Sequence, residues 1–366
     1  MRRHSEAFCQ FVNVKGEKKI MLSLLPGLVR GVLSIFMYFI NTILVPVQLI
    51  PVALLKLIVP INAWRKLCNR IINGVVTNWV YLNKLNLRLM HKVSWDISGI
   101  EDLNPNEWYL VVANHQSWVD ILVLQNIFHR KIPFLKFFMK KQMLWVPIVG
   151  LTCWALDFPI MRRYSETQLR KRPHLRGKDM EITRKACEKF KTTPVSIMNF
   201  LEGTRFTSEK YSKQQSPYAN LLKPRAGGIA FVLAAMGEQL HRILDVTIVY
   251  PQGTNSFWAF LCGKVSEIKV RVQSFPIHKE IIGDYSQDME FRELFQDWLN
   301  TFWAEKDRCI NTLCSINPWI VSLNCRRSRL PAEAKKDGSN SICLNTSSTI
   351  ITTPQGVWST KFKLAF

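Results

Sequence analysis

From Gly31 to Leu55 the chain carries no charged side chain. That stretch exceeds the ~20 apolar residues a helix needs to cross a bilayer, so it must end up in lipid or under protein. Asn41, Pro46, Gln48 and Pro51 interrupt its middle. Basic residues flank both sides, with Lys15, Lys18, Lys19 and Arg30 before it and Lys56, Arg65, Lys66 and Arg70 after it. Lys and Arg prefer the cytoplasmic face of a membrane, so both ends belong on one side. Two broken helices dipping into one leaflet fit that pattern better than a single clean span. A second segment, Ile71 to Leu89, mixes Trp79, Tyr81 and several Leu with Asn and Lys and reads as an interfacial amphipathic helix. The apolar run is too long for a cleaved signal peptide and lacks a small-residue cleavage site. The expected division is a basic tail over 1–20 and a membrane-associated helical region over 21–91.

Charge narrows the range of partners. The 366 residues hold 49 Lys+Arg against 27 Asp+Glu, a formal net charge of +22. Such a balance favours anionic partners: a lipid surface, nucleic acid or phosphate-bearing substrates. No finger, homeodomain or RNP-like motif supports nucleic acid, and the apolar N-terminal third favours anionic membrane lipid. The nine Cys include no Cys-x-x-Cys pair, which argues against a zinc site or a disulfide framework and suits a reducing compartment.

From Lys92 onward the pattern is that of a folded domain, expected over 92–310. Seven β-type runs stand out: Val93–Ile97, Trp108–Ala113, Ile132–Leu135, Phe158–Met161, Val195–Leu201, Val246–Tyr250 and Ile268–Val272. Helical periods fall at Val119–Phe128, Lys141–Ala155, Lys178–Lys191, Ile229–Gln239 and Met289–Arg308. Alternation of this kind predicts an α/β sheet covered by helices on both faces, with sites outside the strand ends. Residues 311–366 are rich in Ser, Thr and Asn, show no amphipathic period, and read as a disordered tail.

Two short stretches carry chemistry. In Asn114-His-Gln-Ser-Trp-Val-Asp120, His115 sits on the turn leaving a β-type run and Asp120 on the first turn of the next helix. A carboxylate there can bond one imidazole nitrogen and leave the other as a general base. Taken alone the pair also fits a histidine that merely caps a helix. In Asn199-Phe-Leu-Glu-Gly-Thr-Arg-Phe206, Gly203 permits a tight turn and Arg205 offers a planar fork suited to phosphate. Glu202 would orient that Arg or bond a substrate hydroxyl; a plain surface turn with a local Glu–Arg pair is the competing reading.

Together these stretches resemble the first and third motifs of the glycerolipid acyltransferase family, the 1-acylglycerol-3-phosphate acyltransferases. Pro147-Ile-Val-Gly150 leading to Ile160-Met-Arg-Arg163 is similar to the second motif, with Arg163 on the family's Arg. Val246-Thr-Ile-Val-Tyr-Pro251 is similar to the fourth, and Arg225 with Gly227 and Gly228 resembles the basic start of the helix before it. Leu201 stands where many members have Pro and Asp157 where many have Gly. Leu at the first of these is a mark of the lysophospholipid and lysocardiolipin branch.

The resemblance implies a glycerol-3-phosphate acyltransferase-like fold: a mixed sheet of about seven strands flanked by helices, after an N-terminal membrane-embedded segment. It implies acyl transfer from a thioester, acyl-CoA or acyl carrier protein as co-substrate, to the hydroxyl of a lysophospholipid. The acceptor would be 1-acyl-sn-glycerol-3-phosphate or, on the remodelling branch, another lysophospholipid. His115 and Asp120 would be catalytic. Glu202, Gly203, Thr204, Arg205 and Arg163 would hold the acceptor phosphate, with Asn114, Gly150 and Pro251 in support. No metal, bound cofactor or acyl-enzyme is implied, and the oxyanion would meet backbone N–H groups at the start of the helix after His115. Similarity to a bacterial inner-membrane member implies that membrane, with the catalytic domain on its cytoplasmic side. Basic residues at Arg130, Lys131, Lys136, Lys140 and Lys141, and from Arg162 to Lys178, read either as solvated faces or as a surface for anionic lipid or the acyl donor. A non-catalytic lipid-binding protein with the same fold is the alternative from another class.

Overall fold

A computed structural model of the chain describes residues 21–59, 61–140, 145, 149–161, 178–191, 193–253, 256–285 and 287–315. The expected tails at 1–20 and beyond 315, Arg163 and the basic run 162–177 lie outside these residues.

The apolar run forms one continuous helix, α1 (Gly27–Ile58), that passes through Pro46 and Pro51 without ending. This corrects the expectation of two broken helices. Each interior proline costs about 3 kcal/mol in lost bonding and crowding. The burial of Val45, Pro46, Leu49 and Ala53 against neighbouring helices offsets that loss. The next helix, α2 (Asn62–Met90), starts well before the predicted Ile71 and returns alongside α1.

The polar residues of this hairpin are bonded across it. The Asn41 side-chain amide donates to Trp79 O at 3.0 Å and to Asn83 Oδ1 at 2.8 Å. Asn83 donates in turn to Gln125 Oε1 at 3.1 Å, and Ser34 Oγ donates to Asn86 Oδ1 at 3.2 Å. A buried polar group is costly only when unbonded, so these residues fix the register of the pair instead of breaking α1. By length and composition α1 is apolar enough to cross a membrane. Its outer face, including Leu28, Val32, Phe36, Phe39, Ile43 and Val47, is exposed.

Beyond α2 the chain builds β1 (Ser94–Ser98), β2 (Tyr109–Ala113), α3 (Val119–Phe128), β3 (Leu135–Phe137), β4 (Met139–Lys140), α4 (Val149–Ala155) and β5 (Ile160–Met161). It continues with α5 (Lys178–Cys187), β6 (Ser196–Phe200), α6 (Ser208–Gln214), α7 (Ala226–Met236), β7 (Arg242–Val249), α8 (Phe257–Leu261), β8 (Glu267–Pro276) and α9 (Met289–Ser315). Among the described residues the main sheet has six strands in the order β1-β8-β7-β2-β6-β3, parallel except for the β7–β8 pair. The mixed, helix-flanked sheet is as expected, with six strands where about seven were foreseen. The short run ending at Met161 pairs with β4 in a separate two-stranded ladder.

Every residue of β2 is buried. Its side chains alternate between two cores: Leu110 and Val112 face α7 and α9, while Tyr109, Val111 and Ala113 face α3. β6 lies parallel to β2 with Ala113 opposite Phe200, so the two strands end level with one another. α9 continues past the predicted stop at Arg308, because Leu313 is buried and its carbonyl accepts the buried Lys269 Nζ at 3.1 Å. The cysteines among the described residues are free thiols.

Both ends of α1 are tied to this domain. Arg30 donates to Cys262 O, and Gly31 packs so closely that a Cβ would lie 2.8 Å from Cys262 Sγ. At the far end Lys56 pairs with Asp157 at 3.0 Å. Asp157 has φ 56, a left-handed conformation that Gly adopts freely and Asp tolerates. Asp157 thus keeps a backbone turn that Gly would also permit and adds an ion pair.

His91, just past α2, stacks on Phe260 with ring centroids 4.7 Å apart, and its Nε2 lies 3.4 Å from Ser34 Oγ. Burial, reinforced by Arg30, lowers its pKa from 6.5 to about 4. The neutral ring therefore contributes its full stability above pH 6.5. That contribution is lost as pH falls toward 4, by at most about 1.4 kcal/mol per unit, because the unfolded chain takes up the proton first. Buried Glu202, raised from 4.5 to about 7, works in the opposite sense, so the test is a difference between variants. Melting curves at pH 7.5 and 5.0 should show His91→Gln losing less stability on acidification than the wild type; equal losses would remove His91 from the account.

Candidate active site

The His115 and Glu202 turns meet because β2 and β6 are neighbours ending at one level. His115 follows β2 and its Nδ1 lies 2.9 Å from Asp120 Oδ2. Asp120 is fully buried at the start of α3. Its Oδ2 also accepts the backbone amides of Gln116 at 2.7 Å and Ser117 at 2.8 Å, and its Oδ1 accepts the Tyr250 hydroxyl at 2.6 Å. A carboxylate so surrounded stays oriented, and the helix N-terminus favours its charge. With Nδ1 held by Asp120, Nε2 has no hydrogen-bond partner among the described residues. The imidazole is clamped face-on by Phe200, ring centroids 4.0 Å apart.

Two expectations change here. The amides of Gln116 and Ser117 point at Asp120, so they do not serve as oxyanion donors. Tyr250, read from sequence as one more apolar strand residue before Pro251, is a direct partner of the pair. Burial and the adjacent Asp120 hold its phenol well above the ordinary value, so it donates. Asn114 donates to Ile248 O and accepts from Ile248 N, both at 2.9 Å, which continues the β2–β7 pairing past the end of β2.

The second turn is joined to the first through the backbone of His115. The His115 amide donates to Glu202 Oε1 at 2.8 Å, and the His115 carbonyl accepts the Phe206 amide at 2.8 Å. Glu202 is fully buried, and its Oε2 accepts the Leu222 amide at 3.2 Å. It faces inward, where sequence placed it beside Arg205 or against a substrate hydroxyl. Burial is the largest influence on its pKa, with Asp120 adding to the rise; the amides of His115 and Leu222, and Lys306, act against it, leaving it at about 7.

Outside this buried layer lies a cationic rim. Gly203 has φ +66, and a Cβ there would come within 2.9 Å of Arg225 Cδ. The Arg225 side chain thus lies across the turn, exposed, beyond the helix-start role its sequence suggested. The Arg205 guanidinium lies over the Trp118 ring, 4.9 Å from its centroid. Thr204 Oγ1 accepts Lys210 Nζ at 2.7 Å, and Lys210 also donates to Arg205 O at 3.1 Å. Gly203, Thr204 and Arg205 therefore share one turn beside His115. Pro251 follows Tyr250, whose carbonyl accepts the Gly253 amide at 2.9 Å. Gly150 is buried in α4, which packs on α1, and no hydrogen bond joins it to His115. Two members of the first basic cluster are engaged locally: Lys136 donates to Leu156 O at 2.7 Å and Lys131 to Ile100 O at 3.2 Å. Among the described residues no His, Cys, Asp and Glu cluster is suited to a metal ion.

This geometry can be set beside known proteins. The Acyltransferase family model matches residues 94–253. An uncharacterised acyltransferase of Schizosaccharomyces pombe is 22% identical over 241 residues, covering 60% of this chain and 63% of that protein. Human 1-acyl-sn-glycerol-3-phosphate acyltransferase alpha is 26% identical over 122 residues, 33% of this chain and 38% of the relative. The mouse gamma form is 25% identical over 214 residues, 55% of this chain and 52% of the relative. The chain thus spans between 38% and 63% of the length of these relatives. Among solved structures, the acyltransferase PlsC of Thermotoga maritima aligns at 17% identity and a TM-score of 0.44, over 75% of this chain and 97% of that one. The matched region contains both turns described above, so the part of the chain that carries them is similar to the acyltransferase family.

Proposed function

We propose that the protein is a membrane-attached O-acyltransferase that moves a fatty acyl group from a thioester, acyl-CoA or acyl carrier protein, to the free hydroxyl of a lysophospholipid. The acceptor is 1-acyl-sn-glycerol-3-phosphate and the product phosphatidic acid. The observation that carries this reading is the His115–Asp120 contact beside a turn lined by Arg205, Arg225 and Lys210. An alcohol is too weak an acid to attack unaided at neutral pH. His115 Nε2 takes its proton as the oxygen attacks the thioester carbonyl, and Asp120 stabilises the imidazolium. The tetrahedral intermediate collapses with loss of the thiolate, which recovers the proton from His115. No acyl-enzyme forms. Glu202 acts through the His115 backbone and does not touch substrate, while Arg205 and Arg225 hold the acceptor phosphate. The names of the human and mouse relatives support this acceptor.

The exposed apolar face of α1 supports attachment to a membrane. With both ends tied to the domain, α1 lies along one leaflet and does not thread through the bilayer, on the cytoplasmic side of the inner membrane. Basic side chains add about 1 kcal/mol each near an anionic surface.

Three outcomes are expected. His115→Ala lowers kcat by about 10²–10⁴-fold with the fold intact; transfer at an undiminished rate would end this mechanism. Arg205→Ala and, to a smaller degree, Arg225→Gln raise the acceptor KM more than they lower kcat, which steady-state kinetics against acceptor concentration would read. Replacing Phe36, Phe39 and Ile43 together by Gln should leave the protein folded but unable to float with phospholipid vesicles; full flotation would place the attachment elsewhere.

A further inference from the structure

The last helix lies outside the region matched by the family, yet it reaches the back of the site. On α9, Trp303, Lys306 and Asp307 share one face, as residues three and four apart do. The buried Trp303 indole N–H donates to Leu222 O at 2.9 Å. The Asp307 carboxylate accepts the Ala219 and Asn220 amides, both at 2.8 Å, and the Asn220 side-chain amide at 3.0 Å. Lys306, also buried, donates to Val246 O at 2.8 Å and pairs with Asp245 on β7. The segment these groups grip, Ala219 to Leu222, has no helix or strand of its own. It presents the Leu222 amide to Glu202, whose other oxygen holds the His115 amide.

We infer that Asp307 and Trp303 are positioning residues for the His115 site, acting through the 219–222 segment and Glu202. Packing alone would be met by apolar side chains at these positions. A carboxylate spent on three N–H groups of one irregular segment fixes where that segment sits, and misplacement by about 1 Å far from the chemistry can cost up to 10²-fold in rate. The charged groups facing Glu202 are Asp120 on α3 and Lys306 on α9. The Leu222 amide favours its ionised form, so loosening that amide raises the Glu202 pKa further.

The inference rests on the acyl-transfer reading, so its test has one readout from catalysis and one independent of it. Asp307→Asn in the full detergent-solubilised chain should lower kcat about tenfold with acceptor KM within about twofold. It should also move the rising limb of the kcat–pH profile upward, where a merely weakened fold would scale the profile without moving it. Amide hydrogen exchange in the peptide spanning 111–120 should speed up in Asp307→Asn, but not in a control at the exposed Thr301. If His115→Ala retains activity, the reaction assignment fails and the exchange result still decides the positioning claim. Wild-type exchange together with an unmoved profile in Asp307→Asn would overturn the inference. Should that variant not fold, Trp303→Phe, which removes the N–H to Leu222 O together with part of the buried ring, decides by the same two measurements.

Discussion

The in-register parallel pairing of β2 with β6 is the constraint on which the site depends. Parallel neighbours point their carboxyl ends the same way, and here those ends coincide at Ala113 and Phe200. The turns that follow are thus side by side, and each completes the other: one supplies the amide and carbonyl of His115, the other the Glu202 carboxylate and the Phe206 amide. A slip of one residue would invert the faces of the strand and separate the turns. β7, on the other side of β2, delivers Tyr250 to Asp120 by the same logic.

Two buried carboxylates lie behind one imidazole, and they are treated differently. Asp120 collects four donors, whereas Glu202 accepts two backbone amides. Burying a carboxylate is costly unless its oxygens are satisfied, and the thinner set at Glu202 accords with its raised pKa. The difference suits their places: one carboxylate is in contact with the ring, the other with the backbone that carries it.

The legible parts of the molecule were those written locally. His115 and Asp120 are five positions apart, and the span of α3 was read from its apolar period to the residue. Glu202 was recognised but aimed wrongly, because its partners are backbone N–H groups, which no side-chain pattern announces. Tyr250 was hidden inside an apolar strand, where a phenol looks like any other aromatic. The contribution of α9 was invisible because Asp307 and Ala219 are distant in sequence. Pro46 and Pro51 read as breaks, since the packing that overrides them belongs to the other helices. The run ending at Met161 forms a strand outside the main sheet, because an apolar run declares its β tendency but not its partner.

The position of Arg205 over Trp118 bears on which cation the site can use. A guanidinium held over an indole face is attracted by the ring's π electrons and carries its N–H donors in a planar fork. Trp118 belongs to the His115 turn and Arg205 to the Glu202 turn. The indole therefore serves as a shelf that restrains the guanidinium beside the His115 turn. A lysine ammonium, roughly spherical and strongly hydrated, has no separate face and edge, so shelf and phosphate would compete for the same charge.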